Sequence, residues 1–296
     1  MSSAKLRTEL PLLALLAFLW GSSYLLIKVA VAEIPPVTLI ALRVLGAAIF
    51  LLLVMGARSE RLPRDARTWR MLLVQAVFNS IGAWTVLAWG QQYVESGLAS
   101  VLNSTSPVFV FLITALVTRH EALNGRKLVG AVLGVLGVAL IVGVDVLRGL
   151  GDQVAGQLAC LVGAVLYAGA AIYGKRFNHV SAIATATGTM IWASLVLVPL
   201  ALVLDQPWTL TPSPTALAAT VILSIVCTGV ALLIYFRLVR TLGSMGVASQ
   251  SYLRAGIGVV LGVLLLGETF TFPVAAGLCA AIAGVALINW PAKGRA

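Results

Sequence analysis

The sequence predicts an all-α membrane protein: ten transmembrane helices built as two inverted five-helix repeats. Three observations lead there. Of the 296 residues, 60% are hydrophobic and only 10% charged, against about 45–50% and about 25% in a soluble domain. The apolar residues gather in long unbroken stretches joined by short loops. The second half of the chain repeats the first at a constant offset of 147 residues.

A helix needs about 20 mostly apolar residues to cross about 30 Å of hydrocarbon. Stretches at 11–32, 36–56, 69–90, 96–118, 127–144, 154–176, 179–203, 214–238, 245–266 and 273–291 qualify. Mean hydropathy is +1.03. Continuous runs exclude barrel strands, which alternate with a period of two. The largest polar segment, Arg58 to Arg70, is too short for a soluble domain. The first stretch follows Lys5 and Arg7 and ends in Ala30-Val31-Ala32, as a cleaved signal would. Its length and its counterpart in the second half make it a span.

Net charge is +10, and 16 of the 20 Lys and Arg fall in the N-terminal tail, in the loops after helices 2, 4, 6 and 8, or in the C-terminal tail. The opposite loops hold only Arg148, and Lys28, Arg43 and Arg254 lie inside spans. The positive-inside rule then puts both termini in the cytoplasm of a multi-pass protein of the cytoplasmic (inner) membrane. Basic residues in short turns between apolar helices do not form one nucleic-acid-binding face. Cys160, Cys227 and Cys279 sit in spans without close spacing, so they read as small packing residues, not as disulfides or metal ligands.

The repeat divides the chain into 1–148 and 149–296. Lys28 aligns with Lys175, Gly82 with Gly229, Trp89 with Phe236 and Glu121 with Glu268. Gly137-Val138-Ala139-Leu140-Ile141 aligns with the identical Gly284-Val285-Ala286-Leu287-Ile288. Five spans per unit is an odd number, so the second unit enters the bilayer from the opposite side. Inverted repeats of this kind build secondary transporters with a site at the midplane between them.

Several motifs carry a resemblance. The first span has Leu19-Trp20-Gly21-Ser22-Ser23 and Lys28, followed by Pro35-Pro36 and Arg43. The fourth has Pro107, then Glu121, and the fifth has Gly130, Gly134 and Gly137. The second half has Gly156, Tyr167-Ala168, Lys175-Arg176, Leu266-Gly267-Glu268 and Gly277. This ordered set, over essentially the whole chain, resembles the EamA-type members of the drug/metabolite transporter superfamily. The resemblance implies a ten-helix carrier of small metabolites, such as amino acids, nucleotide precursors, vitamins or toxic organic compounds. One departure stands out: Arg254 occupies the position matching Pro107, where repeats of the family often have proline.

A charge about nine residues into a span costs several kcal/mol unless it faces a cavity or a partner. Arg254 therefore reads either as an anchor for a substrate carboxylate or phosphate, which guanidinium binds bidentately, or as a structural arginine on helix carbonyls. Arg43 reads as a gate or structural pair with Glu33, Glu95 or Glu268, or as a substrate contact. Lys28 lies near a span end, where it can snorkel. Polar residues at helical spacing mark inward faces: Gln75, Asn79 and Gly82; Ser100, Asn103 and Pro107; Ser224, Thr228 and Tyr235; Gln250, Ser251 and Arg254. Asn79 and Asn103 stand out, because an amide deep in a span needs several partners. Trp20, Tyr24, Trp84, Tyr167 and Tyr252 suit either a pocket wall or core packing, whereas Trp69, Trp208 and Trp290 sit at span ends as belt residues. The expected substrate site is Arg254, Asn79, Asn103, Trp84, Trp20, Tyr167, Gln250 and Tyr252. Gly130-x-x-x-Gly134 gives a small face for helix packing within a unit or in a homodimer. Pro107 interrupts helix 4.

His120 and His179 are too few and too far apart for a metal cluster. No phosphate-cradling Gly-Lys-Ser/Thr loop or serine–histidine signature is present, so neither an enzyme nor a cofactor is expected. The expected function is a carrier that exports amino acids or related zwitterionic or anionic solutes by alternating access. The alternative is an exporter of lipophilic or cationic drugs.

Overall fold

A computed structural model describes residues 3–117, 125–147, 151–235, 237–238, 241, 250–269 and 271–289. Helices dominate: α1 Ser3–Val31, α2 Pro36–Ala57, α3 Ala66–Gly90, α4 Ser96–Leu116, α5 Gly125–Leu147, α6 Gly151–Gly174, α7 Ala182–Leu204, α8 Pro214–Tyr235, α9 Gln250–Leu266 and α10 Phe272–Asn289. Seven of them, α1–α4 and α6–α8, are long and apolar enough to cross a membrane, and α9 and α10 contribute shorter apolar stretches. The expected start of helix 9, 245–249, lies outside the described residues.

Helix limits follow from local chemistry. Pro36 and Pro214 occupy first-turn positions, where their missing N–H costs nothing. Asp65, Ser181 and Ser213 cap α3, α7 and α8 by accepting backbone N–H bonds with their side chains. Gly267 ends α9 in the left-handed region at φ +66°, which a residue without Cβ adopts freely. As Pro107 predicted, α4 breaks into a turn at Ser104–Thr105 before resuming at Ser106. Wide π-helical turns occupy Val77–Trp84 in α3 and Ile225–Val230 in α8. Shifting the second by 147 places it on 78–83.

The two halves interlock. α1 packs on α8 and α9, and α6 packs on α3 and α4; α2 packs on α7 and α8, and α7 also on α3; α4 meets α9 and α5 meets α10. Exchanging α1–α5 for α6–α10 maps this set of pairings onto itself. The α5–α10 seam is built from glycines: a Cβ on Gly137 would lie 2.7 Å from the carbonyl oxygen of Gly277, and Gly284 abuts Gly130 and Gly134. Gly130 and Gly134 thus face another helix of the same chain. Such close approach matters in lipid, where dispersion contacts replace the hydrophobic drive between helices.

Polarity is inverted relative to a soluble protein. Leu53 and Leu264 are 69% and 73% exposed while Arg43 is 5% exposed. An apolar belt of that extent needs a hydrocarbon solvent.

At one end of the bundle, carboxylates of one half cap helix starts of the other. Glu33 accepts the N–H and hydroxyl of Ser213 at 2.6 and 2.8 Å, and Asp205 accepts those of Thr38 at 2.9 and 2.7 Å. Glu268 accepts the N–H groups of Ser96 and Gly97 at 2.6 and 2.9 Å. At the opposite end Ser181, the cap of α7, donates to Glu60 at 2.7 Å.

Candidate functional site

Helix α2 carries Arg43 into the bundle interior. Its Nε donates to Thr228 Oγ1 at 2.9 Å, and its guanidinium carbon lies 3.9 Å from the centroid of the Trp84 ring. The Arg43 carbonyl accepts Ser224 Oγ at 2.9 Å. Both contacts come from the π-helical turns. Thr228 bonds back five residues to the Leu223 carbonyl, which fixes its hydroxyl. Trp84 ends the turn in α3 and donates its Nε1–H to the Tyr167 hydroxyl of α6. Such turns are frequent at functional sites because they aim side chains out of helical register. Here the two converge on one guanidinium.

The charge balance is unusual. A cation over an aromatic face gains about 2 kcal/mol when desolvated, well short of the cost of burying a charge. Among the described residues no carboxylate bonds to Arg43, and its terminal Nη1 and Nη2 meet no hydrogen-bonding protein group. The expected partners are committed elsewhere: Glu33 to Ser213, Glu268 to Ser96 and Gly97, and Glu95 to Thr269 at 3.2 Å. Among the described residues, the structural pair expected between Arg43 and Glu33, Glu95 or Glu268 is not made, because backbone N–H groups near helix ends hold those carboxylates.

Arg254 lies half-buried on α9, with its Nε enclosed and bonded to no partner among the described residues, while its carbonyl accepts Ser100 Oγ at 3.3 Å. Arg43, Arg254 and Tyr24 are all electrostatic neighbours of the Tyr167 hydroxyl. Tyr24 in turn accepts from Asn103 Nδ2 at 2.6 Å. Trp84, Tyr167, Asn103 and Arg254 are thus brought into one polar cluster, joined by Arg43, Thr228 and Tyr24.

The other expected site residues lie apart or outside view. Asn79 donates to its neighbour Ser80 at 3.2 Å. Trp20 stacks on Tyr235 at 5.4 Å within a cluster of Leu13, Leu16 and Leu19, which is core packing. Gln250 is buried at the start of α9, and the Tyr252 side chain lies outside the described residues. Lys28 does not snorkel; its Nζ caps the end of α3 through the carbonyls of Gln91 and Val94, both at 2.7 Å. Glu121 and Trp290 also lie outside the described residues.

A family model described as the EamA-like transporter family matches this chain twice, at residues 8–143 and 154–290. The chain belongs to the EamA-like transporter family. It is 28% identical over 272 residues to the "uncharacterized inner membrane transporter YedA" of Escherichia coli K12, covering 90% of this chain and 87% of that protein. It is 29% identical to the "uncharacterized transporter YvbV" of Bacillus subtilis, covering 98% and 93% of the two chains. A "probable amino-acid metabolite efflux pump" of E. coli K12 is 27% identical and covers 87% and 86%. One solved crystal structure shares the fold, with a TM-score of 0.65 over 94% of this chain at 19% identity. This EamA-like chain is therefore a multi-pass membrane transporter, and its relatives' names point to transport, not to an enzyme.

Proposed function

We propose that this chain is a secondary carrier that exports small anionic or zwitterionic metabolites, amino acids foremost, by alternating access. In this reading it crosses the membrane ten times, as inverted units 1–148 and 149–296 with both termini cytoplasmic. The self-mapping helix pairings, the recurring π-helical turn and the basic loops support that architecture. The relative named as an amino-acid metabolite efflux pump supports the substrate class.

The observation that carries the substrate reading is Arg43, 5% exposed and, among the described residues, without a carboxylate and with its terminal nitrogens unpartnered. A guanidinium so placed binds a carboxylate bidentately, and the desolvated surroundings strengthen the pair. Thr228 and Trp84 hold the guanidinium plane, Tyr167 fixes Trp84, and Arg254 adds a second positive field on the same hydroxyl. A lipophilic cation would meet repulsion in this cluster. No cofactor is needed, the partners are the substrate and the bilayer, and homodimerisation is not required by the site.

The test is uptake of a labelled amino-acid panel into liposomes containing the purified protein, with and without a pH gradient. A carboxylate-bearing solute is expected to accumulate with the parent and not with Arg43→Ala. Unchanged transport by a folded Arg43→Ala protein sinks the assignment. Dependence on the gradient separates proton coupling from facilitated exchange.

A further inference from the structure

A second candidate site lies away from the central cluster, at the end of the bundle where α3 starts and α6 ends. A surface cleft of about 710 Å³ opens there, lined by Asp65, Arg67, Thr68, Met71, Arg176 and His179. We propose that this cleft holds the phosphodiester of an anionic phospholipid, with Arg67 and Arg176 as its donors.

Three observations converge. The cleft lies at the polar boundary of the bilayer, by the first turn of α3: there Trp69, next to the lining residue Thr68, donates its indole N–H to the Pro63 carbonyl at 2.8 Å and packs edge-to-face on Trp192 at 6.2 Å. A half-buried ring with its polar edge anchored at a helix start marks that level of a membrane protein. Second, the charges fit a monoanion. Asp65 is occupied as the cap of α3, accepting Thr68 N–H at 2.7 Å, and that bond holds its carboxyl below the usual carboxylate range, so it stays ionised. Glu60 is held by Ser181. Two guanidiniums against one carboxylate leave the cleft positive, which a phosphodiester neutralises.

Third, the site is amphipathic along the membrane normal. The Arg176 guanidinium lies 4.8 Å above the Tyr173 ring, which orients it, and Tyr173 faces Phe78 of α3 at 6.5 Å. The seam next to the basic mouth is therefore aromatic, and Met71 adds an apolar side chain to the cleft lining. A headgroup in the mouth leaves its acyl chains against that seam. Basic pockets between membrane helices bind anionic headgroups in this way. Free inorganic phosphate shares the polar half of this chemistry but not the apolar half.

The test uses the purified full chain in a neutral detergent, with bound phosphatidylglycerol and phosphatidylcholine counted by native mass spectrometry. The double variant Arg67→Gln with Arg176→Gln is expected to bind phosphatidylglycerol at least about tenfold more weakly. The control pair Arg58→Gln with Arg61→Gln, exposed residues outside the cleft, is expected to change it less than about twofold. The idea is overturned if the cleft variant keeps its lipid, if the control pair loses as much, or if phosphatidylcholine binds equally. Displacement of the lipid by millimolar inorganic phosphate also overturns it, by making the site one for a soluble anion.

Discussion

Among the described residues, the middle of this bundle holds cations that bond to no carboxylate, and one end holds carboxylates bound to backbone N–H groups. Arg43 and Arg254 lie inside with nitrogens that meet no acceptor among the described residues. Glu33, Asp205 and Glu268 accept hydrogen bonds from helix starts of the opposite half. The contrast separates two uses of charge in a membrane. A carboxylate saturated by a helix start belongs to the fold, and a guanidinium left short of an acceptor is available to a ligand.

Substitutions sharpen that contrast. The largest expected effect is at Arg43. Arg43→Ala should lower transport of a carboxylate solute by about 30-fold or more, since removing one partner of a desolvated charge pair costs about 2–5 kcal/mol. Arg43→Lys should not restore it, because an ammonium offers neither the planar fork nor the stacking surface. Arg254→Ala, at a half-exposed residue, should cost about tenfold in the same liposome assay. A larger loss there than at Arg43 would reverse the ranking of the two cations.

At the bundle end the effects should appear in stability, not in substrate choice. Glu268→Gln loses a charged acceptor for two helix-start donors, so thermal unfolding in detergent should show a loss of about 1–2 kcal/mol with the substrate profile unchanged. The smallest effect concerns pH. The donors of Ser213 hold the exposed Glu33 carboxyl below its ordinary value of 4.5. Its contribution is therefore present above that value and fades as pH falls through the lowered one. Glu33→Gln should flatten the unfolding temperature between pH 5 and 3, and a slope equal to the parent's would remove this carboxylate from the set.

Helix positions were readable because hydrocarbon demands long apolar runs, and the break at Pro107 was readable because proline lacks the donor. The central cluster was legible only in part. Trp84, Tyr167, Asn103 and Arg254 stood out as polar or aromatic residues at depth. Arg43 reads in the sequence as readily as a gate or structural pair as a substrate contact, because Glu33, Glu95 and Glu268 stand at span ends as candidate partners. Thr228 was one member of a polar stripe with nothing to single it out. The pairing depends on two π-helical turns that shift the register of α3 and α8, and no periodicity argument based on 3.6 residues per turn foresees them. The recurrence of Gly82 and Gly229 within those turns was the one available hint.

The caps between halves also set an order of assembly. The start of α2 waits 167 residues for Asp205, and the start of α4 waits 172 for Glu268. At about 5–20 residues per second of synthesis, the first five helices spend roughly ten to thirty seconds in the membrane with those amides unanswered. The later half of the chain thus acts as a folding partner that the ribosome delivers last. A chain stopped at its midpoint would leave those two helix starts without their caps.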